Sequence, residues 1–321
     1  MQEPIMINKH NDQPAMHYCP YLVAFFDILG QRDKMSRITL PPAGDEPSND
    51  EKFKQNILQV YSNIMTFREY FADAIESFTK SDIENDKISE QAKSFFGKFR
   101  EHPITYRNFA DSVIVHIRLK GDEMKYAGRA MYGVLSAAAV TFNSCMSMGV
   151  PVRGGIDLGF AMNIGPDEIY GPALASAYHF ESKVAAYPRV VVGNALVSYL
   201  KELYDSRPET DEEKVNCLLA KNSLALMTTD DDGNMIVDHL GDYIRNILQK
   251  MPHIADVVSK AYMFAYSEYE KYRNARNEAE SVGNAEALKR YTLLAGRYEL
   301  LKRYYEKHLP TWGLTKSKGD I

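Results

Sequence analysis

An apolar run that ends in an acidic residue constrains this chain more than any other feature. It reads Tyr21-Leu-Val-Ala-Phe-Phe-Asp27-Ile-Leu-Gly30. Continuous apolar residues followed by a glycine turn predict a buried strand, so we expect the carboxylate of Asp27 where a central strand ends. An unpaired charge is unfavourable in such a place. A bound metal ion would be a reason for the acid to be there.

A second acid lies in a similar setting, in the segment Asn108-Phe-Ala-Asp111-Ser-Val-Ile-Val-His-Ile117. The pattern predicts a tight turn at Asp111 between two short strands. If these strands lie beside the first one, Asp27 and Asp111 converge and can hold two divalent cations through oxygen ligands. Two such cations serve in-line attack on a phosphorus centre. The alternative is that each Asp only caps a turn.

The rest of the chain predicts an α+β fold in which helices cover one face of an antiparallel or mixed sheet. Apolar residues at helical spacing predict helices over 51–78, 80–101, 122–149 and 172–186, and a further helix that follows residue 192 and ends at about 204. Two antiparallel helices are predicted over 243–308, with a break at 281–284. Strand patterns cover 104–109, 112–120, 151–159, 189–192 and a hairpin of 223–228 with 235–240. We divide the chain into a tail (1–20), a domain (21–240), a helical arm (241–309) and a second tail (310–321).

Composition excludes several classes of protein. The 321 residues carry a net charge of −5, which gives no basic surface for DNA or RNA. No apolar run reaches the length of a membrane span, and the first residues do not resemble a signal peptide, so we expect a cytoplasmic protein that does not bind membranes. The three cysteines are widely spaced and indicate neither disulfides nor a zinc site.

Four fragments together resemble the catalytic domain of class III nucleotidyl cyclases, the adenylate and guanylate cyclase family. They cover residues 21 to about 240, with one long insertion at about 36–100. The fragments are Phe26-Asp27-Ile28-x-Gly30, Ala110-Asp111, Arg153-Gly-Gly-Ile-Asp-Leu-Gly159 and Glu168-Ile-Tyr-Gly171-Pro-Ala-Leu-Ala-Ser-Ala177-Tyr-His-Phe-Glu181.

The resemblance implies a ferredoxin-like domain that works as a head-to-tail homodimer with active sites between the subunits. Asp27 and Asp111 match the family's metal-binding aspartates, and the carbonyl of Ile28 would add a ligand for two Mg²⁺ or Mn²⁺ ions. Leu29 and Gly30 would lie near the triphosphate of an NTP. The implied reaction is attack of the ribose 3′-oxygen on the α-phosphorus, which gives a cyclic nucleotide and pyrophosphate.

Two positions that stabilise the transition state in the family differ in this chain. The family's Asn and Arg on the dimer-facing helix align with Ala175 and His179. A histidine replaces a guanidinium only in part, although a protonated His179 would be a weaker cation. Lys183 follows one helical turn later and would face the polyphosphate. The alternatives are a hydrogen-bonded helix histidine and a solvated lysine.

The base-selecting positions differ as well. Arg107 stands where adenylate-forming members have Lys, and Glu168 where they have Asp. A guanidinium donates to carbonyl oxygens, so we expect a base other than adenine. These departures resemble the bacterial pyrimidine-nucleotide cyclases of anti-phage defence, and Arg107 favours uracil over cytosine. The alternative pairs Arg107 with a surface carboxylate, and Arg153 is expected in an ion pair at the surface or the sheet edge.

The hypothesis that follows is that the protein is a nucleotide cyclase that uses UTP or CTP. The alternative hypothesis is that the protein is a cyclase-like domain of reduced activity that binds a nucleotide or a protein partner as a sensor or scaffold. A third, an enzyme that joins nucleotides between molecules, should carry a Gly-Gly-Asp-Glu-Phe-like hairpin, which Phe109-Ala-Asp111-Ser does not supply.

Overall fold

The computed structural model describes residues 19–36, 51–80, 104–119, 127–165 and 168–316. The predicted helix over 80–101 lies outside the described residues except for its first position. Residues 1–18 of the predicted N-terminal tail, residues 317–321 of the C-terminal tail and the start of the helix predicted from residue 122 also lie outside the described residues.

Eight strands form one mixed sheet in the order β2-β3-β1-β4-β6-β8-β7, and β5 pairs with β4 outside this path. The strands are β1 (Cys19–Ile28), β2 (Ile104–Phe109), β3 (Ser112–Arg118), β4 (Val152–Gly165), β5 (Glu168–Tyr170), β6 (Val190–Val192), β7 (Met227–Thr229) and β8 (Met235–Val237).

The helices lie between and after these strands. They are α1 (Gln31–Met35), α2 (Glu51–Lys80), α3 (Ala127–Ser147), α4 (Pro172–His179), α5 (Asn194–Asp205), α6 (Asp211–Ala225), α7 (Asp242–Leu248), α8 (Ile254–Ser281) and α9 (Ala285–His308). A π-helical segment, Phe180–Val184, continues α4, and a short 3₁₀ helix, Leu309–Trp312, follows α9.

The first half of the sheet has ferredoxin-like topology. The chain runs through β1, α2, β2, β3, α3 and β4, and the four strands lie in the order β2-β3-β1-β4, each antiparallel to its neighbours. The predicted α+β fold is therefore confirmed. β6 then pairs with β4 in parallel and begins an extension of the sheet through β8 and β7.

Side chains of β1 alternate between the two faces of the sheet, as the period of a strand requires. Phe26 faces the long helices, and its ring centroid lies 4.7 Å from that of Phe71 on α2. Tyr21 and Val23 face the other side, where they pack in one cluster with Ala173 of α4. The long helices thus cover one face as predicted, while the short helix α4 covers part of the opposite face.

The C-terminal helices are part of the main core. Tyr262 of α8 and Leu301 and Tyr305 of α9 are buried in the same cluster as Phe26 of β1. The predicted break is confirmed: α8 ends at Ser281, and the side chain of Asn284 caps the next helix by accepting a hydrogen bond from the Ala287 amide at 3.1 Å.

One predicted strand is wrong at its start. Residues 223–225 belong to helix α6 rather than to the strand predicted over 223–228, which in the structure begins at Met227. A capping box begins α6, because the Thr210 side chain accepts from the Glu213 amide while the Glu213 side chain accepts from the Thr210 amide. This Thr-x-x-Glu spacing is visible in the sequence and would have indicated the helix.

Candidate active site

Asp27 is held from both sides by the neighbouring strands. In the register of the sheet it lies opposite Ser112 of β3 and Arg153 of β4. The Ser112 hydroxyl donates to Asp27 Oδ1 at 3.2 Å, and Arg153 Nη2 lies 3.4 Å from Oδ2. The side chain is 20% exposed, so the carboxylate is fixed in position but still reaches solvent. This agrees with the predicted place of Asp27 at the end of a central strand.

Asp111 occupies the tight turn between β2 and β3, as predicted. Its predecessor Ala110 has φ 50°, a left-handed conformation that is unfavourable for a residue with a Cβ. Arg68 of α2 fixes this turn by donating from Nη2 to the Ala110 carbonyl at 2.7 Å. Because Asp111 directly precedes Ser112, the register places it beside Asp27.

The two acids influence each other electrostatically. Burial raises the pKa of Asp27 above its usual value, and the negative charge of Asp111 raises it further, while Arg153 acts in the opposite direction. A carboxyl group whose pKa rises because a second carboxylate lies near it is the arrangement that a cation relieves. The register of β1 and β3, which sets Asp27 opposite the residue after Asp111, is compatible with the predicted convergence of the two acids.

A third carboxylate lies near them, and no sequence pattern singles it out. Glu181 lies in the π-helical segment after α4, is 2% exposed, and forms an ion pair with Arg153. Burial raises its pKa to about 7, with Arg153 acting against this and Asp27 and Asp111 adding to it. Arg153 thus forms the ion pair expected of it, with two acids, but its strand β4 is flanked by β1 and β6 and is not at an edge of the sheet.

A glycine permits this approach of Glu181 to the sheet. A Cβ built on Gly155 would lie 2.2 Å from the Ala177 carbonyl oxygen and 2.7 Å from the Glu181 amide nitrogen. Only a residue without a side chain lets the end of α4 come so close to β4. The glycine pair in Arg153-Gly-Gly is the sequence signal for a close backbone approach at this position.

The donor set suits a hard divalent cation. Asp27 and Asp111 offer carboxylate oxygens, the ligand type that Mg²⁺ and Mn²⁺ prefer, and Ile28 ends β1 directly beside them. In the part of the chain that the structure describes, no group of three or more His, Cys, Asp or Glu side chains is arranged to hold a metal ion. A cation here would therefore rely on the two aspartates and on backbone or ligand oxygens.

Arg107 shares the sheet face of Asp27. It lies on β2 opposite Ile114, which in turn lies opposite Phe25. Its side chain is half-buried, and its charge adds to burial in lowering the pKa of His116 to about 4. Arg107 is two strands from β1, about 10 Å at the spacing of a sheet. It can therefore contact a ligand that lies across this face.

Three further predicted residues, Glu168, His179 and Lys183, are exposed. His179 ends α4 and Lys183 lies in the π-helical segment, on either side of the buried Glu181. Glu168 begins β5, where it pairs with Gly165, so about 40 Å of extended strand separates it from the Arg153 end of β4. Within one chain, the fold does not bring Glu168 to Asp27.

Leu29 and Gly30 follow β1 and border a cavity of about 580 Å³. The Leu29 amide donates to the Pro151 carbonyl at 2.8 Å, and Gly30 has φ 82°, a conformation that favours glycine. The opposite wall of this cavity comes from α8 and α9, including Tyr272 and Arg297. The loop next to the acids is thus open to a space large enough for a small molecule.

Comparison with known proteins gives no further guide to the site. The sequence matches no protein-family model, no curated protein and no solved structure. Among the described helices, none combines the length and the apolar character that crossing a bilayer requires.

Proposed function

We propose that this protein is a nucleotide cyclase that converts an NTP, UTP or CTP, into the 3′,5′-cyclic monophosphate and pyrophosphate. One observation carries the proposal: Asp27 and Asp111 lie side by side at the end of the central strands of a ferredoxin-like sheet. The ribose 3′-oxygen forms a bond to the α-phosphorus as the bond from the α-phosphorus to the bridging oxygen of the β-phosphate breaks. The 3′-hydroxyl proton passes to solvent.

The chain's own residues position the substrate and balance its charge. Asp27, Asp111 and the Ile28 carbonyl would hold two Mg²⁺ or Mn²⁺ ions, which stabilise the entering and leaving oxygens. Arg153 keeps the carboxylate of Asp27 charged and oriented through its contact at 3.4 Å. Arg107, on the same sheet face, would donate to a carbonyl oxygen of the base, and this favours uracil.

A second copy of the chain would complete the site. The β4–β5 hairpin carries Phe160 (61% exposed), Ile164 (52%) and Tyr170 (61%), an apolar surface of the kind that a partner covers. Exposed Glu168 and His179 would then reach the partner's acids rather than those of their own chain. The product would act as a second messenger in the cytoplasm, in anti-phage defence.

One observation favours the alternative hypothesis, that the protein is a nucleotide-binding or protein-binding domain of reduced activity. Arg153 already neutralises part of the charge of Asp27, and Glu181 competes for the same guanidinium. A permanent cation beside the acids lowers their attraction for a metal ion. In addition, exposed Ala175 offers no polar group to a ribose.

Incubation of the protein with each of the four NTPs and Mn²⁺ tests the proposal. We expect a cyclic product from UTP or CTP, and a rate at least ~10²-fold lower for Asp111→Asn, the scale for loss of a key electrostatic group. Asp256→Asn, an exposed acid paired with Lys260 on α8, is the matched control and should keep the full rate. Near-normal activity of Asp111→Asn would refute the metal assignment. If no NTP reacts and Asp27→Ala binds nucleotide normally, the alternative hypothesis of a binding domain is supported instead.

A further inference from the structure

The cavity beside Gly30 is enclosed by parts of the chain that are far apart in sequence. One wall is the loop after β1, another is the segment 186–188, and the third is formed by α8 and α9. Its volume of about 580 Å³ lies in the range of sites for ligands of nucleotide size. The aromatic side chains Phe264, Tyr272 and Tyr298 form part of the lining.

The charged groups around this cavity are mainly cationic. Among the described residues that line it, four carry a positive charge and one a negative charge: Lys34, Lys271, Arg290 and Arg297, against Glu268. Lys271 Nζ binds both oxygens of Glu268, at 2.8 and 3.1 Å, so this acid is already engaged. Burial lowers the pKa of Lys34, and nearby Lys271 lowers it further while Glu268 opposes the change. Among the described lining residues, positive charges therefore outnumber negative ones.

Arg297 of α9 is the cation with the clearest need for an anion. Its Nε atom is buried and has no hydrogen-bond partner within the described chain. Burial lowers the pKa of Arg297, and repulsion from Arg153 lowers it further. A partly buried guanidinium that is repelled by a second one is stabilised when an anion compensates the charge.

The lining residues show where the cavity lies relative to the acids. Arg153 contacts Asp27 at 3.4 Å and also acts on Arg297. Arg297 lines the same cavity as Leu29 and Gly30, the two residues that directly follow β1 and its Asp27. An elongated anion that enters the cavity can reach from the guanidinium of Arg297 towards the end of β1.

We propose that the C-terminal helices α8 and α9 form the cationic wall of a polyphosphate-binding site, with Arg297 as its principal ligand. The identification of the anion as the triphosphate of an NTP rests on the proposed cyclase function. Arg297 supplies, from the same chain, a fixed guanidinium of the kind that His179 does not provide on α4. The helical pair then has a direct role in binding the substrate.

Calorimetric titration with inorganic tripolyphosphate, without nucleotide or divalent cations, tests this site. We expect Arg297→Gln to weaken binding by about 10- to 100-fold, the range for loss of a charge-assisted hydrogen bond. Arg297→Lys should recover part of the affinity. The matched control is Arg303→Gln, because Arg303 lies on the same helix, is exposed and pairs with Glu299 at 2.6 Å; its affinity should stay within about twofold of the parent.

The site is refuted if the parent protein does not bind tripolyphosphate, or if Arg297→Gln binds it as tightly as the parent. Circular dichroism and thermal unfolding of each variant separate loss of binding from loss of folding, and the Lys variant keeps the test valid if the Gln variant is unstable. A different result would refute the cyclase function alone: the protein would bind tripolyphosphate in a manner that depends on Arg297 but would turn over no NTP. Turnover with an unchanged KM in Arg297→Gln would instead refute the site and leave the cyclase function standing.

Discussion

Replacing Arg153 with Met tests the electrostatic account of the site most directly. In the native protein this guanidinium joins Glu181, which is 2% exposed, to Asp27, which is 20% exposed. Methionine keeps much of the volume and apolar stem of arginine but removes its charge. Glu181 is then left as a buried carboxylate without its cation.

The expected loss of stability follows from the burial of each acid. Removing one partner of a buried ion pair destabilises a protein by about 3–5 kcal/mol. Asp27 keeps its hydrogen bond from Ser112 and is partly solvated, so the loss of its contact with Arg153 adds less than about 1 kcal/mol to the destabilisation. Relief of the repulsion between Arg153 and Arg297 acts in the opposite direction. Glu181 can bind a proton once its cation is gone, which limits the cost of its charge at pH 8 to about 1.4 kcal/mol, so we expect Arg153→Met to lower the free energy of unfolding by about 2 kcal/mol at that pH.

The loss should depend on pH with a defined sign. Burial raises the pKa of Glu181 in the folded protein from 4.5 to about 7, so the folded state binds a proton that the unfolded state has released. This contribution to stability is present at low pH and is lost as pH rises through that window. Without Arg153 the pKa rises further, so the variant should lose less stability at pH 5 than at pH 8.

Urea denaturation at both pH values, with EDTA present, measures the effect. The m value should not change, because the same surface is exposed on unfolding. The double variant Arg153→Met, Glu181→Gln should recover about 1.4 kcal/mol, since it no longer buries an uncompensated charge. A loss below about 1 kcal/mol at pH 8, or no recovery in the double variant, would show that Glu181 is not held by Arg153 as described.

Two further predictions concern the core. His239 is buried with its ring centroid 4.2 Å from that of Phe142, and burial lowers its pKa to about 3, so stability should fall by about 1.4 kcal/mol per pH unit below pH 6.5. Urea denaturation should show a shallower pH dependence for His239→Phe, and an unchanged slope contradicts the reasoning. Gly155→Ala should destabilise by about 1–3 kcal/mol because its Cβ would meet the Ala177 carbonyl, whereas Gly296→Ala, with nothing within 4 Å, should stabilise slightly. Equal effects of the two substitutions would refute the steric argument.

The half of the site that the sequence predicted depends on local patterns. The apolar run before Asp27 and the short turn at Asp111 each define an element within about ten residues. Once β1 and β3 pair, Asp27 lies opposite Ser112, the residue that directly follows Asp111. The sequence was therefore sufficient for the two aspartates.

The other half depends on packing between distant elements. Arg153 and Glu181 meet because α4 lies against β4 at Gly155, and no period along the chain encodes that approach. Arg297 is more than 260 residues from Asp27 in sequence and is placed by the burial of α9 against the core. Local signals were sufficient to predict the helices of the arm over 241–309 and the break between them. The position of the arm relative to the sheet could be seen only in the structure.

The burial of α8 and α9 in the main cluster also defines the smallest unit that can fold. Val258, Tyr262, Tyr298, Leu301 and Tyr305 belong to the same buried cluster as side chains of the first strand. A protein truncated after the last strand would leave a continuous apolar surface in contact with water and would tend to aggregate. The two ends of the described chain therefore depend on each other for stability, and any shortened version for biochemical work has to retain the helical pair.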